Sequence, residues 1–199
     1  MFDPIFIRTD AVQTEGRLRK VMPKRISRLS PFIASFLALA FSALSIPADA
    51  QIVAFGASNV SGWNVAASDA FPAQLQAMLR AKGYHVTVLN AGVYGNTTAD
   101  MRNRMDSDIP PGTTVVILDT SGEFFNNYTK GISREQGRAD LAAIAAALRA
   151  RGITVIPEST ADMPARYRQE DGKHLTPEGH RLVASRLLPR VVQVLGRPR

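Results

Sequence analysis

The segment "EDGKHLTPEGH" sets Asp171 three residues before His174, just ahead of a stretch with helical character. That spacing lets one short turn bring a carboxylate against an imidazole nitrogen, which fixes the tautomer and stabilises the imidazolium. The other ring nitrogen is then free to take a proton from a hydroxyl. A serine suited to that role is Ser58, two positions past the glycine that closes the apolar run in "QIVAFGASNVSGW". Serine in such a turn also caps helices, and Asp-x-x-His also forms plain surface turns. Taken singly, each piece reads either as acyl-transfer chemistry or as turn structure. His180, one helical turn beyond Thr176, reads as packed or solvated, and His85, at a strand start, as structural.

Composition narrows the chemistry. The chain has 199 residues, 45% of them hydrophobic, which suits one globular domain with a full core. It has no cysteine and three histidines, so disulfides and thiolate metal sites are excluded and little is left for a histidine-rich metal site. No metal or organic cofactor is expected. Formal net charge is +7, and part of it lies in residues 1–50. The rest has no basic run with interleaved aromatics, so nucleic acid is a poor partner.

The elements that would position these residues alternate. Strands are expected at 52–55, 85–92, 113–119 and 153–158. Helices are expected at 71–83, 99–109, 134–152 and 176–196, the last interrupted or kinked at Pro189. Apolar strands alternating with helices imply a parallel sheet covered on both faces, an α/β fold of three layers, α/β/α, with four to five strands. Sites in such sheets form beyond the carboxyl ends of strands. Ser58, Gly95 and the loop after Leu118 all lie there, so three loops can face one crevice.

The combination resembles the SGNH, or GDSL-type, hydrolase family. The segments that carry the likeness are "VAFGASN", "NAGVYGNTT" and "DGKHLTPEGH". The resemblance implies a flavodoxin-like sheet, Ser58 as nucleophile, His174 as general base and Asp171 as its orienting acid. It also implies that the Ser58 and Gly95 N–H groups form an oxyanion hole. Val60 breaks the G-x-S-x-G pattern of the α/β-hydrolases, and no G-x-x-x-x-G-K-[ST] phosphate loop is present. A flavodoxin-like sheet binding phosphate at "GASNVSG" would leave Asp-x-x-His unexplained.

Two departures from the family pattern stand out. Ala57 occupies the place of the aspartate in G-D-S. In "VVILDTSGEFFNNYTKGIS", ungapped alignment puts Glu123 where the family has an oxyanion-hole asparagine. A shift of about three residues puts Asn126 there, with Asn127 replacing the following aspartate, and the need for a donor favours Asn126. The resemblance thus implies hydrolysis of a small carboxylic ester or thioester. The alternatives are a non-catalytic binding protein with an impaired oxyanion hole, and acyl transfer to an alcohol or sugar. Trp63, Tyr94, Phe124, Phe125 and Tyr128 lie near these blocks; they either line an acyl or aromatic pocket or, as is usual for aromatic residues beside strand ends, belong to the core, and core is the expectation.

Residues 1–50 carry a separate expectation. "MPKRISRLS", the apolar "PFIASFLALAFSALSI" and "PADA" follow the three-part layout of a secretory signal, with cleavage after Ala50 and Met22 as a possible true start. The protein is then periplasmic or secreted, with residues 51–199 as the hydrolase-like domain and no stable membrane partner. The rival is an uncleaved N-terminal membrane anchor.

Overall fold

The computed structural model describes residues 50–198, and the backbone alone for residues 50 and 122–124. The expected signal segment lies outside the described residues. Four strands form one parallel sheet: β1 (Ala50–Gly56), β2 (Val86–Gly92), β3 (Thr113–Asp119) and β4 (Thr154–Glu158), in the order β2-β1-β3-β4. β1 begins at Ala50, paired with Val86, so the strand reaches to the expected signal boundary. The chain steps outward from β1 to β2, then crosses back to β3 on the other side. The gap between the β1 and β3 ends is therefore the switch point where an open α/β sheet leaves a crevice.

Side-chain alternation along β1 builds two cores. Ile52 and Ala54 face one side with Val86, Val115, Ile117 and Ile156, while Val53 and Phe55 face the other with Val116 and Leu118. All four β1 residues are fully buried, which explains an apolar run in place of alternation. The first core is closed by α2 (Phe71–Ala81) and α6 (Pro177–Leu195), the second by α3 (Thr98–Asp108) and α5 (Arg134–Ala150). On α2, Phe71, Leu75 and Leu79 repeat at helical spacing and are buried, each worth about 1.5–3 kcal/mol of transfer free energy.

Local chemistry sets the helix ends. Thr97 and Asp100 form a reciprocal capping box at the start of α3, and the Thr176 hydroxyl accepts the Gly179 N–H at the start of α6. The described residues also form two short α-helices, α1 (Ser58–Ser61) and α4 (Gly122–Thr129), and one turn of 3-10 helix, Ala165–Tyr167. The expected break at Pro189 is not observed as an interruption, because α6 runs unbroken through it. Val183, Leu187 and Val191, all fully buried, hold the same face of α6 against the core on both sides of the proline. Tertiary burial outweighs the missing backbone hydrogen bond. Among the described residues no helix is long and apolar enough to cross a membrane.

His180 is packing, as its position on α6 suggested. It is fully buried, and its Nδ1 accepts the Phe71 N–H at 3.3 Å, placing the ring proton on Nε2, which has no partner. Burial pushes its pKa down to about 4 from an ordinary 6.5, against an opposing pull from Asp69. The unfolded chain therefore binds the extra proton across that window, and stability is lost as pH falls from about 6.5 toward 4. Urea unfolding at pH 7 and pH 5 should show a larger drop for the native protein than for His180→Gln, which keeps an acceptor but does not titrate. Equal drops would remove His180 as the cause.

Candidate active site

Ser58 is the first residue of α1, directly after the close approach of β1 to β3. A Cβ at Gly56 would lie 2.3 Å from the Asp119 Cβ, so only glycine fits where the strand turns into the helix. As the first residue of a helix, Ser58 has an N–H without an intrahelical acceptor, pointing out of the helix start. On the neighbouring strand, a Cβ at Gly92 would meet the Ser61 N at 2.1 Å, so α1 rests on the end of β2. Gly95 follows with φ +75 and open space around it, so glycine is required there for conformation and not for room.

Ser58, Gly95, Asn126 and His174 line one cleft of about 940 Å³ at the carboxyl end of the sheet. Asp171 stands behind His174, its Oδ2 2.5 Å from the imidazole Nδ1. Its Oδ1 accepts the N–H groups of Lys173 and His174 at 2.8 and 3.0 Å. Burial lifts the carboxyl, but these two N–H groups and the imidazole outweigh it and hold Asp171 at about 2. It is a carboxylate at every pH where the protein would work. The Asn126 amide donates to the Asn96 carbonyl at 2.8 Å, which fixes it beside Gly95 and leaves its second proton for the cleft. Asn127 is fully buried instead, pairing with the Thr98 N–H and hydroxyl at 3.0 and 2.9 Å. The Glu123 side chain lies outside the described residues.

Three positioning residues escape a reading of the sequence. Asn59 bridges the serine helix to the histidine turn: its Oδ1 accepts the Leu175 N–H at 3.1 Å, and its Nδ2 donates to Thr160 Oγ1 at 3.2 Å and to the Lys173 carbonyl at 3.4 Å. Arg104, on α3, donates to the carbonyls of Gly56 and Ala91 at 2.7 and 3.0 Å and to Asn96 Oδ1 at 2.5 Å. Asp119 accepts the Ala57 N–H at 3.3 Å through Oδ2, and the Ser121 N–H and hydroxyl through Oδ1. Burial pushes the Asp119 carboxyl up, and the Ser121 and Ala57 hydrogen bonds only partly offset it. Asp119 and Ser121 also line the cleft. The only sequence-level sign was a charged residue at the end of an apolar strand.

The aromatic residues expected in the core are exposed. Trp63, Tyr94, Phe125 and Tyr128 are 43%, 55%, 45% and 81% exposed, and the Phe124 side chain lies outside the described residues. Both strand faces are already filled by aliphatic residues, Phe55 and Phe71. Trp63 stacks on Tyr94 at 3.9 Å, and each ring centre is 6.0 Å from His174. His85 is exposed and does not line the cleft. Among the described residues no group of His, Asp and Glu is arranged to hold a metal.

Residues 54–173 match the profile of the GDSL-like lipase/acylhydrolase family. The chain belongs to that family. Membership supports an ester-hydrolysing enzyme in general terms. No curated protein matches the chain. Among solved structures, TesA superposes with a TM-score of 0.64 at 18% identity, covering 72% of this chain and 99% of its own. The psychrotrophic esterase EstA from Pseudoalteromonas sp. gives 0.64 at 14% identity, covering 74% and 99%. AlinE4, an SGNH-hydrolase family esterase, gives 0.54 at 23% identity, covering 74% and 97%. At these identities the likeness shows the fold, which is the SGNH hydrolase fold.

Two substitutions test the positioning contacts. Asn59→Ala should lower kcat for an ester about 10- to 100-fold with KM within about threefold, because a small misplacement of the histidine turn is costly to the chemistry. A rise in KM with kcat preserved would contradict that role. Asp119→Asn places an amide where one oxygen accepts a hydrogen bond. It should lower kcat/KM by roughly tenfold, while stability at pH 8 falls by less than about 1 kcal/mol because a buried charge is removed. Full activity with lost stability would make Asp119 purely structural.

Proposed function

We propose that this protein hydrolyses a small carboxylic ester or thioester through an acyl-enzyme on Ser58. The observation that carries the reading is a histidine that shares a cleft with Ser58 and is bonded through Nδ1 to a committed carboxylate. With Nδ1 held by Asp171, Nε2 is the nitrogen left to accept the Ser58 hydroxyl proton. The alkoxide attacks the carbonyl carbon, and the charge on the carbonyl oxygen is met by the Ser58 and Gly95 N–H groups and the Asn126 amide. Collapse of the tetrahedral intermediate expels the alcohol or thiol, which takes the proton from His174. Water, deprotonated by the same imidazole, then releases the acid and restores Ser58.

An amide at residue 126 in the cleft favours this over a non-catalytic binding protein. The sequence of residues 22–50 supports export, so we propose a periplasmic or secreted enzyme.

Hydrolysis of 4-nitrophenyl acetate tests the assignment. Ser58→Ala and His174→Ala should each reduce kcat by at least about 10³-fold, Asp171→Asn by roughly 10³–10⁴-fold, and Asn126→Ala by about 10²–10³-fold. Since Asp171 stays ionised down to about 2, its own protonation should contribute nothing to any loss of activity seen at mildly acid pH. Undiminished turnover by Ser58→Ala would end the proposal.

A further inference from the structure

Three cationic side chains stand on the cleft wall: Lys130 just past α4, Lys173 immediately before His174, and Arg168. Elsewhere in this domain Arg104, Arg186 and Arg190 pair with Asp108, Asp162 and Glu158. The three at the cleft make no ion pair among the described residues. Arg168 donates to the carbonyls of Met163, Lys173, Thr160 and Ala161 at 3.1, 3.0, 2.7 and 3.3 Å. Carbonyls satisfy its N–H groups and leave its charge in place.

Lys173 holds its ammonium 3.8 Å above the Phe125 ring, spanning from the histidine turn to α4. A ring face engages the cation and leaves N–H donors free for a ligand. The carboxylate acting on Lys130 is Asp100, which is already bonded to the Thr97 N–H and hydroxyl at 2.9 and 2.8 Å. Among the described residues, Asp119 is hydrogen-bonded to Ala57 and Ser121, and Asp171 to His174. Among the described residues the cleft lining carries three cations against one carboxyl group, Asp119, so its net charge is positive and it concentrates anions.

We propose that the ester taken by Ser58 carries an anionic group, a carboxylate or a phosphate, on a short arm from the reacting carbonyl, and that Lys173 and Lys130 bind it. The inference rests on the proposed hydrolysis for its chemistry. Lysine ammoniums are flexible point charges and suit an anion of either geometry. The exposed Phe125 ring covers the apolar stem between the anion and the carbonyl.

The test compares mono-4-nitrophenyl glutarate with neutral 4-nitrophenyl pentanoate. The ratio of their kcat/KM values should favour the anionic ester by about tenfold at low salt and shrink in about 0.5 M NaCl. Lys173→Gln and Lys130→Gln should each cut that ratio severalfold, and a ratio taken within each variant cancels any general loss of activity. A ratio of one or less, or one that neither substitution changes, overturns the proposal. Glutarate and inorganic phosphate titrated into Ser58→Ala by calorimetry read the anion site without catalysis. Binding that Lys173→Gln weakens supports the site, and the tighter anion identifies the group. Absence of binding by both overturns it. If neither ester is hydrolysed while an anion still binds, the proposed hydrolysis fails and the anion site stands.

Discussion

One carboxamide joins the two ends of the domain. Asn59 follows Ser58 directly, and its side chain reaches across 116 residues of sequence to the Leu175 N–H. Through the Lys173 carbonyl and the Leu175 N–H it grips the backbone on both sides of His174. The serine and the histidine come from segments far apart in sequence, and the proposed proton transfer between them would tolerate little error in their separation. An amide suits this position because it offers an acceptor and two donors in one plane, which neither a carboxylate nor an aliphatic residue supplies.

The other loops at the crevice are fixed by the same means, polar side chains bonded to backbone. Arg104 gathers the ends of β1 and β2 with the Gly95–Asn96 turn, and its guanidinium lies 4.4 Å from the Phe55 ring centre, so the clamp is anchored in the second core. Asp119 joins the end of β3 to the residue before Ser58. Glycines at 56 and 92 allow these close approaches, since any side chain there would collide with neighbouring atoms. The cleft is thus a product of three strand ends, each held by a charged or amide side chain that the apolar core cannot supply.

Burial divides the titratable groups into two kinds. Asp171, partly exposed and well supplied with N–H donors, is held as a carboxylate at about 2. Asp119 and Glu158, paired across β3 and β4 and buried, are both pushed up by loss of solvent. Glu158 recovers part of that cost from Arg190 at 3.0 Å. Identical chemical groups therefore behave differently within one domain, as hydration and hydrogen bonding decide.

The sequence by itself determined the alternation of strands and helices, the parallel sheet, and the Asp-x-x-His turn, because these rest on local periodicity and short spacing. Periodic burial, glycine turns and caps leave marks within a few residues. It also singled out Ser58, Gly95, Asn126 and His174, which the fold brings to one cleft. Tertiary structure alone decided that α6 runs through Pro189, that Trp63, Tyr94 and Phe125 are exposed, and that Asn59, Arg104 and Asp119 hold the site together. Each of those depends on contacts between residues tens of positions apart, where side-chain type leaves no local periodic signal. Helix α4 belongs with them: at eight residues it is too short to be stable alone, and its place is set by packing against α5 and α3.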